Sequence, residues 1–258
     1  MNIITAEVLE QKHLVDDIYS MWIKSEGIAD QAHSGQFVSL YCNDPSKLLP
    51  RPISICEVDK VRQAIRLVYR AVGAGTKQFS RFTSGDEVRI IGPVGNGYDL
   101  NSDNPVLMGG GIGIPPMLEL AKEFSLKGLT KDKIKVILGF RDNTFLIEDF
   151  EKYATVYISS DTGSFGVHGN VLDAAKEYGL EADMIYACGP TPMLRAIQQY
   201  SFDKGIEAQL SLEERMACSV GACLACVCKT KDIDDHSKVK NKRVCVDGPV
   251  MRASEVEL

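Results

Sequence analysis

Cys218, Cys223, Cys226 and Cys245 carry the densest chemistry in this 258-residue chain. The first three are spaced C-x4-C-x2-C within Met216-Ala217-Cys218-Ser219-Val220-Gly221-Ala222-Cys223-Leu224-Ala225-Cys226. That is the plant-type spacing for a [2Fe–2S] cluster whose fourth thiolate lies farther along the chain. Three sulfurs from one short segment reach two irons only if the backbone curls around them. Ala217, Ser219, Gly221, Ala222 and Ala225 are small enough to allow that approach. Such a centre passes one electron at a time. Structural zinc is the rival reading, but it usually takes two C-x2-C-like pairs, and Cys245 stands alone. Disulfides are a second rival, since eight cysteines is an even number. The N-terminal residues, however, have neither a basic region nor a long apolar stretch. A reducing, cytoplasmic setting is therefore expected. Cys228 is not expected to be a ligand, because an extended segment after the loop turns its side chain away from that of Cys226.

Two further segments could hold nucleotides. Gly109-Gly110-Gly111-Ile112-Gly113-Ile114-Pro115-Pro116 follows a short apolar run and opens a helical one. Glycines there let a ligand approach the backbone, and a helix start offers free N–H groups to phosphate. A bare strand-to-helix turn would look similar, and the pattern is not G-x-G-x-x-G. Tyr186-Ala187-Cys188-Gly189-Pro190-Thr191-Pro192-Met193 is a second such turn. Both belong at the C-terminal edge of a sheet, where open α/β folds bind ligands. In the first half, Arg51-Pro52-Ile53-Ser54, Val68-Tyr69-Arg70 and Gly73-Ala74-Gly75-Thr76 stand out. Arginines inside strand patterns need partners, and a flavin nucleotide would supply several. Tyr69 could stack on a flat ring, and Gly75 and Thr76 could give N–H groups to a pyrophosphate. His13, His33, His168 and His236 are scattered, with no metal or triad spacing.

The elements that must position these residues fall into three parts. Residues 1–101 alternate as short strands at Ile3–Leu9, Ile18–Ile23, Phe37–Cys42, Ile53–Val58, Ile65–Val72 and Glu87–Ile91, with one helical insert at Gly75–Phe82. This pattern predicts an N-terminal antiparallel β-barrel. Residues 102–210 alternate strand and helix, with helices expected to about Lys127 and over Phe145–Tyr153, Val171–Tyr178 and Pro192–Lys204. They predict a parallel α/β domain. Residues 211–258 form a small cysteine-rich C-terminal domain, in which Lys229–Arg243, with its Asp-Asp-His-Ser, reads as a solvated loop. The fold class is thus β followed by α/β. The net charge of −6 argues against a nucleic-acid surface, and no apolar run is long enough to cross a bilayer.

Taken in order, Arg51-Pro52-x-Ser54, Gly73-x-Gly75-Thr76, Gly109-Gly110-Gly111-x-Gly113-x-x-Pro116 and Cys188-Gly189-Pro190 resemble the ferredoxin–NADP reductase superfamily over nearly the whole chain. Ser211-Leu212-Glu213-Glu214-Arg215-Met216-Ala217-Cys218 and Val244-Cys245-Val246-Asp247-Gly248-Pro249-Val250 narrow this to the electron-transfer subunits of class 1B dihydroorotate dehydrogenases. Relatives commonly carry glycine where this chain has Ser219, and serine fits if φ is negative there.

The resemblance implies FAD at Arg51, Pro52, Ile53, Ser54, Val68, Tyr69, Arg70, Gly75 and Thr76. It implies the nicotinamide nucleotide at Gly109, Gly110, Gly111, Gly113, Cys188, Gly189 and Pro190, and the cluster on Cys218, Cys223, Cys226 and Cys245. The flavin would sit between the other two sites. Cys188 either touches the nicotinamide or only packs. Asp161, placed where NADP-dependent relatives bind the 2′-phosphate, favours NAD; a plain turn-forming role is the alternative. The implied partner is an FMN-containing catalytic subunit in a heterotetramer, docking on an apolar face that includes Met216, Val220 and Leu224. That subunit would oxidise dihydroorotate and send electrons to NAD+. A related reductase subunit serving a ferredoxin, a hydrogenase or a sulfur-metabolising partner remains the neighbouring reading. A zinc-stabilised nucleotide-binding protein is the remote one.

Overall fold

The computed structural model describes residues 2–233 and 238–258. The Asp-Asp-His-Ser run, which includes His236, lies outside the described residues. Six strands, β1 (Ile4–Val15), β2 (Ile18–Lys24), β3 (Phe37–Tyr41), β4 (Arg51–Asp59), β5 (Ala64–Arg70) and β6 (Glu87–Val94), close into a barrel in the order β1-β2-β5-β4-β3-β6. Every pairing in it is antiparallel. The period-two pattern of β5 explains its placement. Ile65, Leu67 and Tyr69 point into the barrel core beside Val8, Met21, Leu40 and Ile55. Val68, on the other face, packs with the second domain. Helix α1 (Glu26–Gln31) and helix α2 (Ala74–Phe79) interrupt the strands. β1 runs six residues past the expected end at Leu9, because its polar residues Glu10 to His13 continue the pairing with β2.

The second domain contains β7 (Pro105–Gly110), a 3-10 turn at Gly111–Gly113, α3 (Pro116–Leu126), β8 (Lys135–Phe140), α4 (Ile147–Phe150), β9 (Thr155–Ser160), β10 (Val167–His168), α5 (Val171–Glu177), β11 (Met184–Cys188), α6 (Thr191–Lys204) and β12 (Glu207–Ser211). After it come the hairpin β13 (Val227–Lys229) and β14 (Asn241–Arg243), then β15 (Val250–Arg252). The sheet order is β10-β9-β8-β7-β11-β12-β15, parallel except where β15 joins antiparallel to β12. Covered on both faces, β7 buries Val106, Leu107 and Met108, as parallel strands do. The helix expected over Phe145–Tyr153 shrinks to four residues: Leu146 adopts a left-handed φ of 64° just before it, and residues 151–153 continue only as a turn. The cysteine-rich segment is not isolated from this sheet, since its last strand completes the edge.

Candidate functional site

The cysteine loop connects β12 to β13. The sulfur of Cys218 accepts N–H groups from Val220 at 3.5 Å and from Cys223 at 3.4 Å. Burial alone would raise this thiol, but those N–H groups, with that of Ala222, outweigh burial and bring it down to about 7. The loop therefore favours the thiolate, the form that ligates metal. Among the described residues no three His, Cys, Asp or Glu side chains close on one ion-sized point. Cys223 lies close enough to Cys218 to lower its thiol, and Cys226 close enough to Cys245 to raise its thiol, so the four cysteines are neighbours in two pairs. Burial and then its neighbour Cys226 push the Cys245 thiol up to about 12, so it keeps its proton until a bound cation displaces it. Gly221 has φ 79°, and a Cβ there would fall 2.7 Å from Val246 Cγ2. Arg243 braces the turn, donating from Nε to Asp247 Oδ2 at 3.0 Å and from a guanidinium nitrogen to the Gly221 carbonyl at 3.4 Å. Four thiols, small residues and N–H groups aimed at sulfur fit a [2Fe–2S] cluster.

One local expectation fails. Ser219 has φ 59°, not a negative value, and a buried hydrogen bond holds it there: Ser39 Oγ donates to Ser219 Oγ at 2.7 Å. Cys228 packs away from the loop, 3.6 Å from Met251 Sδ. Of the expected docking residues, Val220 and Leu224 are exposed, whereas Met216 is half-buried against the core.

On the barrel, Arg51 to Ser54 are half-exposed and Arg70 to Ala74 are mostly exposed, so the surface between β4, β5 and α2 is open. Arg51 donates to the Leu49 carbonyl and crosses the start of α2, where a Cβ on Gly75 would sit 2.8 Å from its Nε. The first N–H groups of α2 have no helical acceptor. Thr76 Oγ1 accepts the Gly73 N–H at 3.1 Å, which squares that turn. A guanidinium beside free N–H groups fits a pyrophosphate. The Tyr69 ring does not fit the stacking role expected of it. It is only 1% exposed, inside the barrel, and its hydroxyl accepts from Gln11 at 2.9 Å. Any contact of Tyr69 with a flavin falls to its backbone.

The two glycine turns meet at the C-terminal edge of the sheet, because β7 and β11 are parallel neighbours with Gly109 opposite Cys188. They meet backbone to backbone. A Cβ on Gly113 would strike the Cys188 carbonyl and come within 2.6 Å of the Gly189 nitrogen. A Cβ on Gly189 would lie 2.8 Å from Met193 Cε. Gly139 and Ser159 continue the row, paired across β8 and β9. The Ser159 hydroxyl is fully buried without a partner, an orphan at the edge where a nucleotide would lie. Asp161 is exposed just beyond β9. Cys188 is half-buried, and burial pushes its thiol up to about 12, so it is no nucleophile.

The barrel touches both other sites. Val68 of β5 shares a core with Ile112, Ile114 and Cys188 of the nucleotide turns. Across β4 from β5, β3, whose Ser39 pairs with Pro52, bonds to Ser219 in the cysteine loop. Side chains on one face of α3 fix the domain angle. Glu119 accepts the Val58 N–H at 2.7 Å, Lys122 donates to the Val58 carbonyl, and Glu123 accepts from Ser34 N–H at 3.0 Å. Burial drives the Glu119 carboxyl up to about 7 despite Lys122. Ser159 stands beside Asp161 in the segment the sequence singles out, whereas Gly139, Ser39 and this Glu119–Lys122 clamp are not among the residues it marks. The clamp had a signal, two charges three residues apart on an apolar helix, but nothing in the sequence names Val58 as its target.

A family model for the iron–sulfur cluster binding domain of dihydroorotate dehydrogenase B matches residues 213–257. The chain is 41% identical to the electron transfer subunit of dihydroorotate dehydrogenase B (NAD(+)) from Fusobacterium nucleatum, covering 100% of both chains. It is 42% identical to the subunit of that name from Listeria innocua, covering 98% of each. Among solved structures it resembles an NADH-dependent reduced ferredoxin–NADP oxidoreductase, with TM-score 0.86 and 26% identity over 98% of this chain and 89% of that one. Phthalate dioxygenase reductase shares the fold, with TM-score 0.62 and 16% identity over 95% of this chain and 94% of that one.

Proposed function

The chain belongs to the family of electron-transfer subunits of NAD-dependent dihydroorotate dehydrogenase B, and from that premise we propose how its residues divide the work. It carries electrons from dihydroorotate oxidation on a catalytic partner subunit, through a [2Fe–2S] cluster and FAD, to NAD+ in pyrimidine biosynthesis. When bound, FAD supplies the exchange between hydride pairs and single electrons, and the cluster supplies the single-electron steps.

Cys218, Cys223, Cys226 and Cys245 hold the cluster. Arg51 and the first turn of α2, at Gly75 and Thr76, hold the FAD pyrophosphate, with the backbone of Pro52 to Ser54 and Val68 to Arg70 lining the rest. Gly109 to Gly113 and Cys188 to Pro190 form the floor for the nicotinamide nucleotide. Asp161 accepts from a ribose hydroxyl and repels a 2′-phosphate, which favours NAD. No protein acid or base is required, because hydride transfer depends on alignment. The residues therefore act by holding and orienting. Residues 1–101, 102–210 and 211–258 serve as the FAD, NAD and cluster domains. The FMN-bearing partner, two copies with two of this chain, docks where Val220 and Leu224 are exposed. The eight free cysteines suit a reducing cytoplasm, and among the described residues no helix is long and apolar enough to cross a membrane.

The observation that carries this reading is the position of the barrel, which meets the nucleotide turns through Val68 and the cysteine loop through Ser39. The test is an anaerobic titration of the purified chain with NADH, followed by visible and electron paramagnetic resonance spectra. Flavin bleaching followed by a reduced-cluster signal is the expected result. A colourless, zinc-containing chain would overturn the reading.

A further inference from the structure

Ser219 follows the first cluster cysteine and has φ 59°, a conformation that L side chains rarely adopt. Its side chain is 1% exposed, and it accepts a hydrogen bond from Ser39, itself 0% exposed, at 2.7 Å. The two residues are 180 positions apart in sequence. The later part of the cysteine segment has other anchors. Cys226, Val244 and Cys245 lie in the core with Phe37, and Asn96 donates to the Val246 carbonyl at 3.2 Å. The earlier arm, which bears Cys218 and Cys223, is flanked by exposed Val220 and Leu224. Among the described residues, Ser39–Ser219 is the hydrogen bond that joins this arm to the barrel. It lands on β3 opposite Pro52, beside the Arg51–Ser54 segment.

We propose that Ser39 and Ser219 are positioning residues, forming a latch that holds the Cys218–Cys223 arm against the flavin barrel and so fixes the gap that single electrons cross. This rests on the proposed function above. A left-handed serine persists only where its surroundings over-determine it, and a fully buried hydroxyl pair supplies that constraint. A glycine at 219 would satisfy the backbone without the bond. The serine therefore accepts an unfavourable φ in exchange for a contact to the barrel.

The test uses the holoprotein carrying FAD and cluster. Ser39→Ala removes the donor and leaves the left-handed backbone and a buried Ser219 hydroxyl unpaired. Ser219→Gly removes the hydroxyl and relieves the backbone, so the two substitutions share only the loss of the latch. In both, stopped-flow mixing with NADH should show flavin bleaching within about twofold of wild type, while cluster reduction slows by about fivefold. Release of iron to a chelator should quicken by about fivefold, the factor that corresponds to one neutral buried hydrogen bond. The double variant should be no worse than the poorer single one, because both remove one interaction. Wild-type iron release and cluster reduction in both single variants, or additive losses in the double, would overturn the latch. If Ser39→Ala fails to fold, Ser219→Gly alone decides by the same two rates. A wild-type protein without flavin or cluster absorption would instead defeat the underlying reading, whatever the variants do.

Discussion

Substituting Gly113 by alanine should separate nucleotide binding from every other property of the chain. The added Cβ would meet the Cys188 carbonyl and stand 2.6 Å from the Gly189 nitrogen, where Cβ contacts under 3.0 Å essentially never occur. The obstacle is backbone on a neighbouring strand, so no side-chain rotation relieves it. Either the turn after β7 or the turn after β11 must move by several tenths of an ångström. Overpacking of this kind costs roughly 1–3 kcal/mol, which as lost nucleotide affinity is about 5- to 150-fold. Gly179, after the C-terminal end of α5, makes the control. It has φ 59° and nothing within 4 Å of its Cβ position. Alanine there pays only the left-handed backbone penalty of roughly 1–2 kcal/mol in stability and leaves the two turns in register. The assay is stopped-flow reduction of the bound flavin by NADH over a concentration series, with flavin and iron content measured on the same samples. Gly113→Ala should raise the apparent Kd for NADH with FAD and iron stoichiometry unchanged, and Gly179→Ala should leave it near the wild-type value. Equal effects, or loss of FAD from Gly113→Ala, would refute the assignment of this floor to the nicotinamide nucleotide.

Three other outcomes follow from the geometry. Cys245→Ser should abolish the cluster signal and leave the flavin spectrum, whereas Cys228→Ser should keep both, as iron analysis and electron paramagnetic resonance will report. Asp161→Ser should raise kcat/KM for NADPH by roughly fivefold, the effect of removing about 1 kcal/mol of repulsion at 4 Å in water, as steady-state diaphorase assays would measure. Glu119, at about 7 in the fold against 4.5 as the ordinary value, holds a proton that the unfolded chain has released between those limits. Its contribution to stability is therefore full below about pH 4.5 and is lost as pH rises through about 7, a change on the order of 3 kcal/mol. Urea unfolding at pH 5 and pH 8 should show wild type losing about 2.5 kcal/mol more than Glu119→Gln, and an equal loss in both would contradict the clamp.

The barrel and the α/β alternation were legible because period-two and strand–helix patterns follow directly from which faces are buried. The cluster cysteines were legible because their spacing is local. Residues whose role depends on a distant partner were not. Tyr69 reads as a flat ring beside two arginine-bearing segments, yet its odd position in β5, with Ile65 and Leu67, turns it into the barrel core. Ser219 reads as a tolerated replacement for glycine, and only the approach of Ser39 explains its left-handed backbone. β15 is three residues long, too short for any alternation to show, and exists because the edge of β12 is there to pair with. Leu146, just before a helix, has a left-handed φ that no local pattern announces.

The most direct test of the electron path mixes this chain with the catalytic subunit, supplies dihydroorotate and NAD+, and follows NADH at 340 nm. The path described here predicts NADH formation only when both chains are present, and none when Cys245→Ser replaces the wild-type chain with its FAD intact. NADH formation at the full rate without the cluster, or oxidation of dihydroorotate by this chain alone, would contradict it.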